Sequence, residues 1–294
     1  RFSTDNNTPL CAYEHWHRYL FAKQFVNDKN VLDIACGEGY GASLLAEKAK
    51  HVTAIDIDPK VIEFASEKYK KHNLKFTRGS DSSIPINGQQ IFDVILSFET
   101  IEHVNGEEQE KFLKEAKRLL KPDGVFIVST PNKFLFEDLP KNKFHCKEFS
   151  LQDFTSILSQ HFDNVQILGQ KAYASSQIWN PTISNKTVSE FFLDLNGDLA
   201  PTKDERQKQF FIAICSSKSI VTESLSLLTD ISNEPIIAQK NPSLFIQIYL
   251  DTGSGYNENE STCRRIFSTA DKIEFDLNET KSIFRLRIDP GDQP

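Results

Sequence analysis

Three closely spaced glycines follow a short apolar run near the start of the chain. Residues 31–41 (VLDIACGEGYG) lead from apolar side chains into Gly37, Gly39 and Gly41. Glycines allow a backbone to turn sharply and to approach a ligand closely. A dinucleotide site requires the different spacing GxGxxG, and Asp33 would repel a pyrophosphate. The Asp33 carboxylate suits a cationic amino group or the amides of the turn, so the segment predicts a ligand-binding turn; a turn that binds nothing is the alternative.

Two further acidic residues follow later apolar runs. Asp56 closes the second run, 19 residues after Gly37, and a carboxylate there can accept both hydroxyls of a ribose. The alternative is a helix cap, a role that Asp58 fills better. Asp81 follows the third run and can accept a hydrogen bond from an adenine amino group, with a turn-stabilising role as the alternative.

Strands and helices must alternate along the chain to bring these residues together. Apolar runs and amphipathic patterns alternate from about residue 13 to residue 215, which predicts an α/β fold with a mostly parallel sheet and helices on both faces. The predicted strands are residues 31–35, 52–57, 75–77, 92–98, 124–130, 165–170 and 210–215. The predicted helices are residues 13–26, a helix through Leu44 and Leu45, one after Pro59, one along Phe112, Leu113, Ala116, Leu119 and Leu120, and residues 151–162.

The composition changes after the last of these strands. A serine-rich, polar stretch predicts a linker, and only strand patterns follow it, over residues 244–250, 272–277 and 282–288. The predicted organisation is an α/β domain over residues 1–217, a linker over 218–243, and a small β-rich, sandwich-like and incomplete module over 244–294.

Charge and cysteine content exclude several classes of protein. The 294 residues contain 41 acidic and 34 basic side chains, a net charge of −7, which argues against nucleic-acid binding. No run approaches the 18 apolar residues of a spanning helix, so no transmembrane segment is predicted. The five cysteines form no CxxC pair, which favours a reducing, cytoplasmic location without structural disulfides or zinc.

The motifs together resemble class I S-adenosylmethionine-dependent methyltransferases. The glycine motif, Asp56 and the Asp81 loop are followed in the family's order by residues 92–104 (FDVILSFETIEHV) and 119–126 (LLKPDGVF). The resemblance covers about residues 13–215. It implies a Rossmann-like, seven-stranded sheet whose last strand is antiparallel, and S-adenosyl-L-methionine as the cofactor, with S-adenosyl-L-homocysteine as its product.

The resemblance also implies a set of cofactor-binding residues. Arg18, on the N-terminal helix, could pair with the methionine carboxylate; a surface arginine on a solvated helix face is the alternative. Ser97 and Phe98 are expected to line the methionine end. The whole implied set is Asp33, Gly37, Gly39, Gly41, Asp56, Ile57, Asp81, Ser82, Ser97, Phe98, His17 and Arg18.

Within this family, residues 14–19 (EHWHRY) followed by the glycine motif, and residues 144–150 (FHCKEFS) with 168–170, resemble a subgroup encoded with, or fused to, glycosyltransferases of bacterial surface polysaccharides. Residues 284–290 (FRLRIDP) resemble accessory β-sandwich modules of the same systems. The resemblance implies a saccharide or glycan-linked acceptor, methylated at a sugar hydroxyl or a terminal phosphate. It also implies glycosyltransferases of the same pathway as partners.

A sugar hydroxyl is weakly acidic, so its methylation needs a positioned base. His103 and His145 are the predicted catalytic residues because histidine titrates near neutrality. The alternatives are a cap of the next helix for His103 and substrate orientation for His145, and Glu102 is a further candidate base. Glu99 and Glu102 could hold a divalent ion, but they lack a clear third ligand, so no metal is predicted.

Three other functions compete with this hypothesis. The first is the same chemistry on a quinone or small aromatic precursor, which would need an apolar cleft and no β-rich appendage. The second is an inactive binding or scaffold protein, disfavoured because Asp33, the three glycines and Asp56 are intact. The third is an NAD-dependent oxidoreductase, which the GxGxG spacing disfavours.

Overall fold

The computed structural model describes residues 9–135, 144–172, 192–193, 199–200, 208–220, 222, 226, 228, 244–251, 261–266 and 285–291. The chain divides into two compact units. One contains Arg1–Tyr173 and Trp179–Leu228, and the other contains Ala174–Ile178 and Thr229–Pro294. The predicted boundaries at residues 217 and 243 stay a prediction.

The first unit alternates helices and strands as the sequence predicts. Its helices are α1 (Pro9–Ala22), α2 (Tyr40–Leu45), α3 (Pro59–Lys68), α4 (Gly106–Leu119) and α5 (Leu151–Ser159). Its strands are β1 (Asn30–Ile34), β2 (His51–Asp56), β3 (Leu74–Arg78), β4 (Phe92–Phe98), β5 (Leu120–Pro131), β6 (Asn164–Gln170), β7 (Phe192–Leu193), β8 (Leu199–Ala200) and β9 (Phe210–Ser216). Short 3₁₀ turns lie at Lys23–Phe25, Ile101–His103 and Lys133–Leu135.

Seven of these strands form one sheet in the order β3-β2-β1-β4-β5-β9-β6. Strands β1 to β5 pair in parallel, whereas β9 runs antiparallel to both β5 and β6. The predicted seven-stranded sheet with an antiparallel last strand is therefore confirmed. Because parallel strands end at the same edge, the residues that follow β1, β2 and β4 share one edge of the sheet.

Alternate residues of the central strands pack on opposite faces of the sheet. Phe126 and Val128 of β5 belong to a cluster with Phe112 of α4 and Phe154 of α5. Ile127, between them, belongs to a second cluster that contains residues of α1 and α2. The sheet is thus covered on both sides, which explains why its strands read as nearly continuous apolar runs.

Side chains that accept backbone N–H bonds set the starts of three helices. Asp58 accepts from the Lys60 amide at the start of α3, where Pro59 is the first helical residue. Asn105 caps α4, and Ser150 caps α5. Asp58 rather than Asp56 is therefore a helix cap, and the alternative of His103 as the cap of the next helix is wrong.

Strand β5 begins at Leu120, earlier than the predicted strand at residues 124–130. Leu120 pairs with Phe92, and the register shifts before Val94 pairs with Val125. The Lys-Pro-Asp-Gly segment, which reads locally as a turn, lies within this irregular start of the strand.

The second unit contains a three-stranded antiparallel sheet in the order β11-β10-β12. Its strands are β10 (Leu244–Asp251), β11 (Ser261–Ile266) and β12 (Arg285–Gly291). β10 and β12 overlap two predicted strands, whereas the sequence does not predict β11. The predicted strand at residues 272–277 lies outside the described residues, as do residues 282–284 of another, and a sandwich-like module stays a prediction.

Among the helices that the structure describes, none has the length and the apolar character needed to cross a membrane.

Candidate active site

The glycine turn, the segment after β1 that leads through Gly37 and Gly39 to Gly41 of α2, is hydrogen-bonded to the end of β2. The Gly37 amide donates to Oδ2 of Asp56 at 3.0 Å, and the Asp58 amide donates to Oδ1 at 3.0 Å. Gly37 has a φ of +55°, and a Cβ there would meet no atom within 4 Å. Asp56 therefore shapes a turn that leaves open space beside Gly37, as a ligand cradle requires.

The other two glycines of the motif serve close packing. A Cβ at Gly39, whose φ is +81°, would lie 2.7 Å from the Phe76 ring. A Cβ at Gly41 would overlap the ring of Tyr19. The structure thus places Gly41 directly against α1, although the sequence predicts it as a cofactor contact.

The loop after β3 lies beside the end of β2, because the Gly79 amide donates to the Asp56 carbonyl at 3.0 Å. Oδ1 of Asp81 accepts from the Ser82 amide at 2.6 Å and from Ser80 Oγ at 3.0 Å. These bonds are the turn-stabilising contacts proposed as an alternative for Asp81. Ile57, the neighbour of Asp56, is 63% exposed. The predicted adenosine contacts are therefore adjacent, and their roles stay a prediction.

Asp33 is a fully buried acid at the end of β1. Burial raises its pKa to about 8; the hydrogen bond from Tyr19 opposes this increase and the charge of Asp56 adds to it. The Tyr19 hydroxyl lies 3.2 Å from both carboxylate oxygens. A cation brought to this carboxylate would favour its charged form, which is the chemistry predicted from its place in the motif.

Arg18, on α1, is buried against the end of β6. Its Nε donates to Gln170 Oε1 at 2.7 Å, and its guanidinium lies 4.3 Å from the centre of the Phe210 ring. Nε2 of Gln170 donates in turn to the Glu14 carbonyl at 2.9 Å. With 1% exposure, Arg18 is not a surface residue on a solvated face, so that alternative is wrong.

The terminal nitrogens of Arg18 are buried and lack hydrogen bonds within the described part of the chain. One of them lies 3.7 Å from Oε1 of Glu99. Buried guanidinium N–H groups without acceptors are costly, and a bound carboxylate or phosphate would satisfy them. This arrangement suits the predicted methionine carboxylate, a role that the structure leaves as a prediction.

Glu99 directly follows β4 and belongs to the candidate site. From the sequence alone it is considered only together with Glu102, as one of two possible ligands for a divalent ion. Its φ is +53°, uncommon for a residue other than glycine. Its Oε1 accepts from Ser129 Oγ at 2.6 Å and faces Arg18. Strained backbone of this kind concentrates at functional sites. Its position in the sequence could have identified it as a site residue, because it is the first residue after an apolar strand whose end is predicted to line the site.

The remaining predicted contacts differ in their surroundings. Phe98 packs edge-on against Tyr19, with ring centres 5.0 Å apart. Ser97 is fully buried, and its Oγ has no partner among the described residues. His17 directs Nε2 to Ser226 Oγ at 3.0 Å, and burial and the nearby Arg18 lower its pKa. Phe98 therefore shares Tyr19 with Asp33, whereas the described partner of His17 is a serine.

His103 and His145, the two predicted catalytic residues, lie next to each other. Their ring centres are 4.9 Å apart. Nδ1 of His103 lies 2.9 Å from the Phe144 carbonyl, and Nδ1 of His145 lies 2.9 Å from Oε1 of Glu148. Burial is the main cause that lowers the pKa of His103. A carboxylate beside an imidazole fixes its orientation and tautomer, so Glu148 is a positioning residue that sequence reasoning missed.

Glu102 lies in the same cluster and is 1% exposed. Its Oε2 accepts from Thr130 Oγ1 at 3.2 Å. Burial and the neighbouring Glu99 raise its pKa well above the usual range. Glu102, His103 and His145 each direct a potential ligand atom so that these atoms lie within 4.8 Å of one another.

Backbone bonds hold this cluster together across a long stretch of sequence. The amides of Cys146 and Lys147 donate to the Glu102 carbonyl at 2.8 and 3.1 Å. From α4, Nε2 of Gln109 donates to the carbonyls of Ile101 and Val104 at 3.0 and 3.1 Å. The turn that carries Glu102 and His103 is thus fixed from two sides.

Comparisons with known proteins find relatives for part of this chain. Residues 32–128 match the family described as Methyltransferase domain. A probable S-adenosylmethionine-dependent methyltransferase of Mycolicibacterium smegmatis is 35% identical over 133 residues, which are 44% of this chain and 50% of that protein. A ubiquinone biosynthesis O-methyltransferase of Pelagibacter ubique is 38% identical over 109 residues, 36% of this chain and 45% of that protein.

Among solved structures, the YcgJ protein of Bacillus subtilis aligns with 70% of this chain and 100% of its own, at 18% identity and a TM-score of 0.48. A likeness at this level does not bear on function.

The sequence matches confirm the predicted class for the matched part of the chain. Residues 32–128 match a methyltransferase domain, and the Mycolicibacterium smegmatis relative is named as a probable S-adenosylmethionine-dependent methyltransferase. The chain spans about half the length of the curated relatives it matches. The activity of the whole chain is therefore a matter for proposal.

Proposed function

We propose that the protein is an O-methyltransferase that uses S-adenosylmethionine to methylate a hydroxyl of a saccharide or glycan-linked acceptor in surface-polysaccharide synthesis. The observation that carries this proposal is the pairing of two histidines beside the strand edge that bears the glycine turn. Because one of them is oriented by Glu148, the chain offers a positioned base for a hydroxyl group.

The residues of the sheet edge fit the proposed cofactor. Open space beside Gly37 would admit a ligand, and the Asp56 carboxylate lies next to it. Arg18 holds two buried terminal nitrogens with no hydrogen-bond partner in the described part of the chain. In this proposal, Asp56 binds the ribose, Arg18 binds the methionine carboxylate, and Asp33 faces the amino group.

The bound cofactor supplies a methyl group that is already electrophilic. The chain therefore has to align the acceptor, exclude water and remove the hydroxyl proton. In this proposal His145, whose ring is bonded to Glu148, accepts that proton, and His103 lies against it. Either imidazole could instead orient the acceptor, which separate substitutions would distinguish.

The choice of a sugar acceptor rests on the resemblance of residues 14–19 and 144–150 to a polysaccharide-associated subgroup, and of residues 284–290 to accessory modules of the same systems. A second candidate is a quinone or small aromatic precursor, because the Pelagibacter ubique relative is named as a ubiquinone biosynthesis O-methyltransferase. Glycosyltransferases of the same pathway are proposed partners under the first function only.

Transfer of labelled methyl groups tests the two acceptor classes directly. The full-length chain is incubated with methyl-labelled S-adenosylmethionine and either mono- and oligosaccharides or catechol-type quinone precursors. Label in the saccharides supports the proposal, and label confined to the aromatic compounds favours the second candidate. A chain that binds the cofactor but labels neither class would contradict both and support the scaffold hypothesis.

A further inference from the structure

We propose that Glu102, His103 and His145 bind a divalent transition-metal ion such as Zn²⁺. One potential ligand atom from each residue lies within 4.8 Å of the other two. The sequence alone predicts no metal, because Glu99 and Glu102 lack a third ligand. The fold supplies the missing ligands by bringing residue 145 to residues 102 and 103.

The surroundings of both histidines match those of metal-binding imidazoles. A histidine that binds a metal through one ring nitrogen usually has its other nitrogen bonded to a carbonyl or a carboxylate. Nδ1 of His103 has the Phe144 carbonyl at 2.9 Å, and Nδ1 of His145 has the Glu148 carboxylate at 2.9 Å. Each ring is thus held through Nδ1 in the way that metal-binding imidazoles are held.

Glu102 provides an independent indication of a cation. Its side chain is 1% exposed, and Oε2 accepts from Thr130. Its Oε1 has no hydrogen-bond partner among the described residues. A buried carboxylate oxygen without a partner carries a desolvation cost that a bound cation would offset.

Two imidazoles and one carboxylate form a donor set typical of catalytic Zn²⁺ and of non-haem Fe²⁺. Such sets leave at least one coordination position for water or substrate, and the exposed His103 places this cluster within reach of solvent. Histidines that ligate the ion could not also accept the hydroxyl proton, so the ion would replace them in that role by polarising an acceptor oxygen and lowering its pKa. That catalytic role rests on the proposed function, whereas metal binding itself does not.

Calorimetric titration of the metal-stripped, full-length chain with Zn²⁺ tests the proposal. We expect a single Zn²⁺ per chain, and Glu102→Gln or His145→Ala should abolish binding at that site. Glu148→Gln keeps every ligand but removes the partner of His145, so it should weaken Zn²⁺ affinity about 10- to 100-fold. The matched control is His72→Ala, an exposed histidine outside the cluster, which should leave Zn²⁺ affinity unchanged.

Failure of the wild-type chain to bind Zn²⁺, or unchanged affinity in folded Glu102 and His145 variants, would overturn the site. If those variants fail to fold, X-ray absorption of the Zn²⁺-loaded wild type decides. Imidazole and oxygen ligands support the site, and sulfur ligands overturn it, since the exposed Cys146 lies nearby. S-adenosylhomocysteine titrated into the same samples separates the two proposals: its binding without Zn²⁺ binding leaves only the proposed function standing.

Discussion

At the scale of single residues, Arg18 and Asp33 are the charges whose burial most needs an explanation. Both lie where α1 covers the strand edge; Gln170 accepts from Arg18, whose guanidinium also lies 3.7 Å from Glu99, and Tyr19 donates to Asp33. A buried arginine with unpartnered terminal nitrogens and a buried acid are both expensive in a protein that binds nothing. A zwitterionic amino-acid group would satisfy both.

Substitution of Arg18 by lysine is expected to weaken S-adenosylhomocysteine binding selectively. Lysine keeps the charge but loses the forked donor geometry and the contact with Phe210. Loss of a charge-assisted hydrogen bond reduces the binding free energy by about 1.5–3 kcal/mol, which raises the dissociation constant roughly ten- to hundredfold. Calorimetry with 5′-methylthioadenosine, which lacks the carboxylate, supplies the control, because its affinity should not change. Equal weakening of both ligands would show that Arg18 only supports the fold.

The pKa of Asp33 predicts how stability depends on pH. Its folded-state value of about 8 exceeds the ordinary value of 3.8. Between these values the unfolded chain has released a proton that the folded chain keeps, so stability falls as the pH rises. Each pKa unit by which Asp33 differs between the folded and unfolded chains contributes about 1.4 kcal/mol to the free energy of unfolding.

Asp33→Asn removes this ionisation and keeps the shape of the protonated acid. We expect the variant to gain stability relative to wild type as the pH rises from about 5 to about 8. Urea unfolding of both proteins at the two pH values measures the difference. A constant difference between the proteins would mean that Asp33 does not titrate in this range.

At the scale of elements, helix α1 matters because it lies directly on the glycine turn. Tyr19 contacts Asp33, Tyr40 and Phe98, so a single side chain joins α1 to β1, α2 and β4. Its ring fills the space that a side chain at residue 41 would need. The third glycine of the motif is thus explained by helix packing.

Gly41→Ala is therefore expected to destabilise the protein by about 1–3 kcal/mol, the usual cost of overpacking. Gly106→Ala is the matched control, because a Cβ there meets no atom within 4 Å. That control should be neutral or stabilising by roughly 0.4–1 kcal/mol, since it reduces the entropy of the unfolded chain. Urea denaturation compares the two. Equal stability of both variants would contradict the packing of Tyr19 on Gly41.

The sequence predicts the seven strands of the main sheet because apolar runs and helix signals are local, and the family resemblance adds the antiparallel course of the last strand. It misses β11 because Ser-Thr-Cys-Arg-Arg-Ile has little apolar alternation. It places the start of β5 too late, since Lys-Pro-Asp-Gly reads as a turn until Phe92 supplies a pairing partner. A strand whose position is set by pairing with residues far away in sequence leaves little pattern in its own residues.

The candidate site shows the same limit. Asp33, Gly37 and Asp56 are predictable because each lies at or just beyond the end of a strand within a known motif. The cluster of Glu102, His103 and His145 depends on backbone bonds between residues some 40 positions apart in sequence. Local spacing therefore identifies two histidines, but neither their contact nor the carboxylate that orients His145.

At the scale of the whole molecule, one sheet edge gathers the proposed cofactor cradle and the candidate acceptor machinery. Arg18, 3.7 Å from Glu99, links the two, because Glu99 lies three residues before Glu102. The net charge of −7 is consistent with an acceptor other than nucleic acid. The three-stranded sheet of the second unit contains most of residues 284–290, one of the segments on which the saccharide hypothesis rests.

Cofactor binding is tested by calorimetric titration of the full-length chain with S-adenosylhomocysteine, beside NAD and beside an Asp56→Asn variant. We expect the intact chain to bind S-adenosylhomocysteine and not to bind NAD. Asp56→Asn should weaken S-adenosylhomocysteine binding by about 1.5–3 kcal/mol, because a charge-assisted contact to the ribose is lost. Binding of NAD instead, or no S-adenosylhomocysteine binding by the intact chain, would contradict the methyltransferase account.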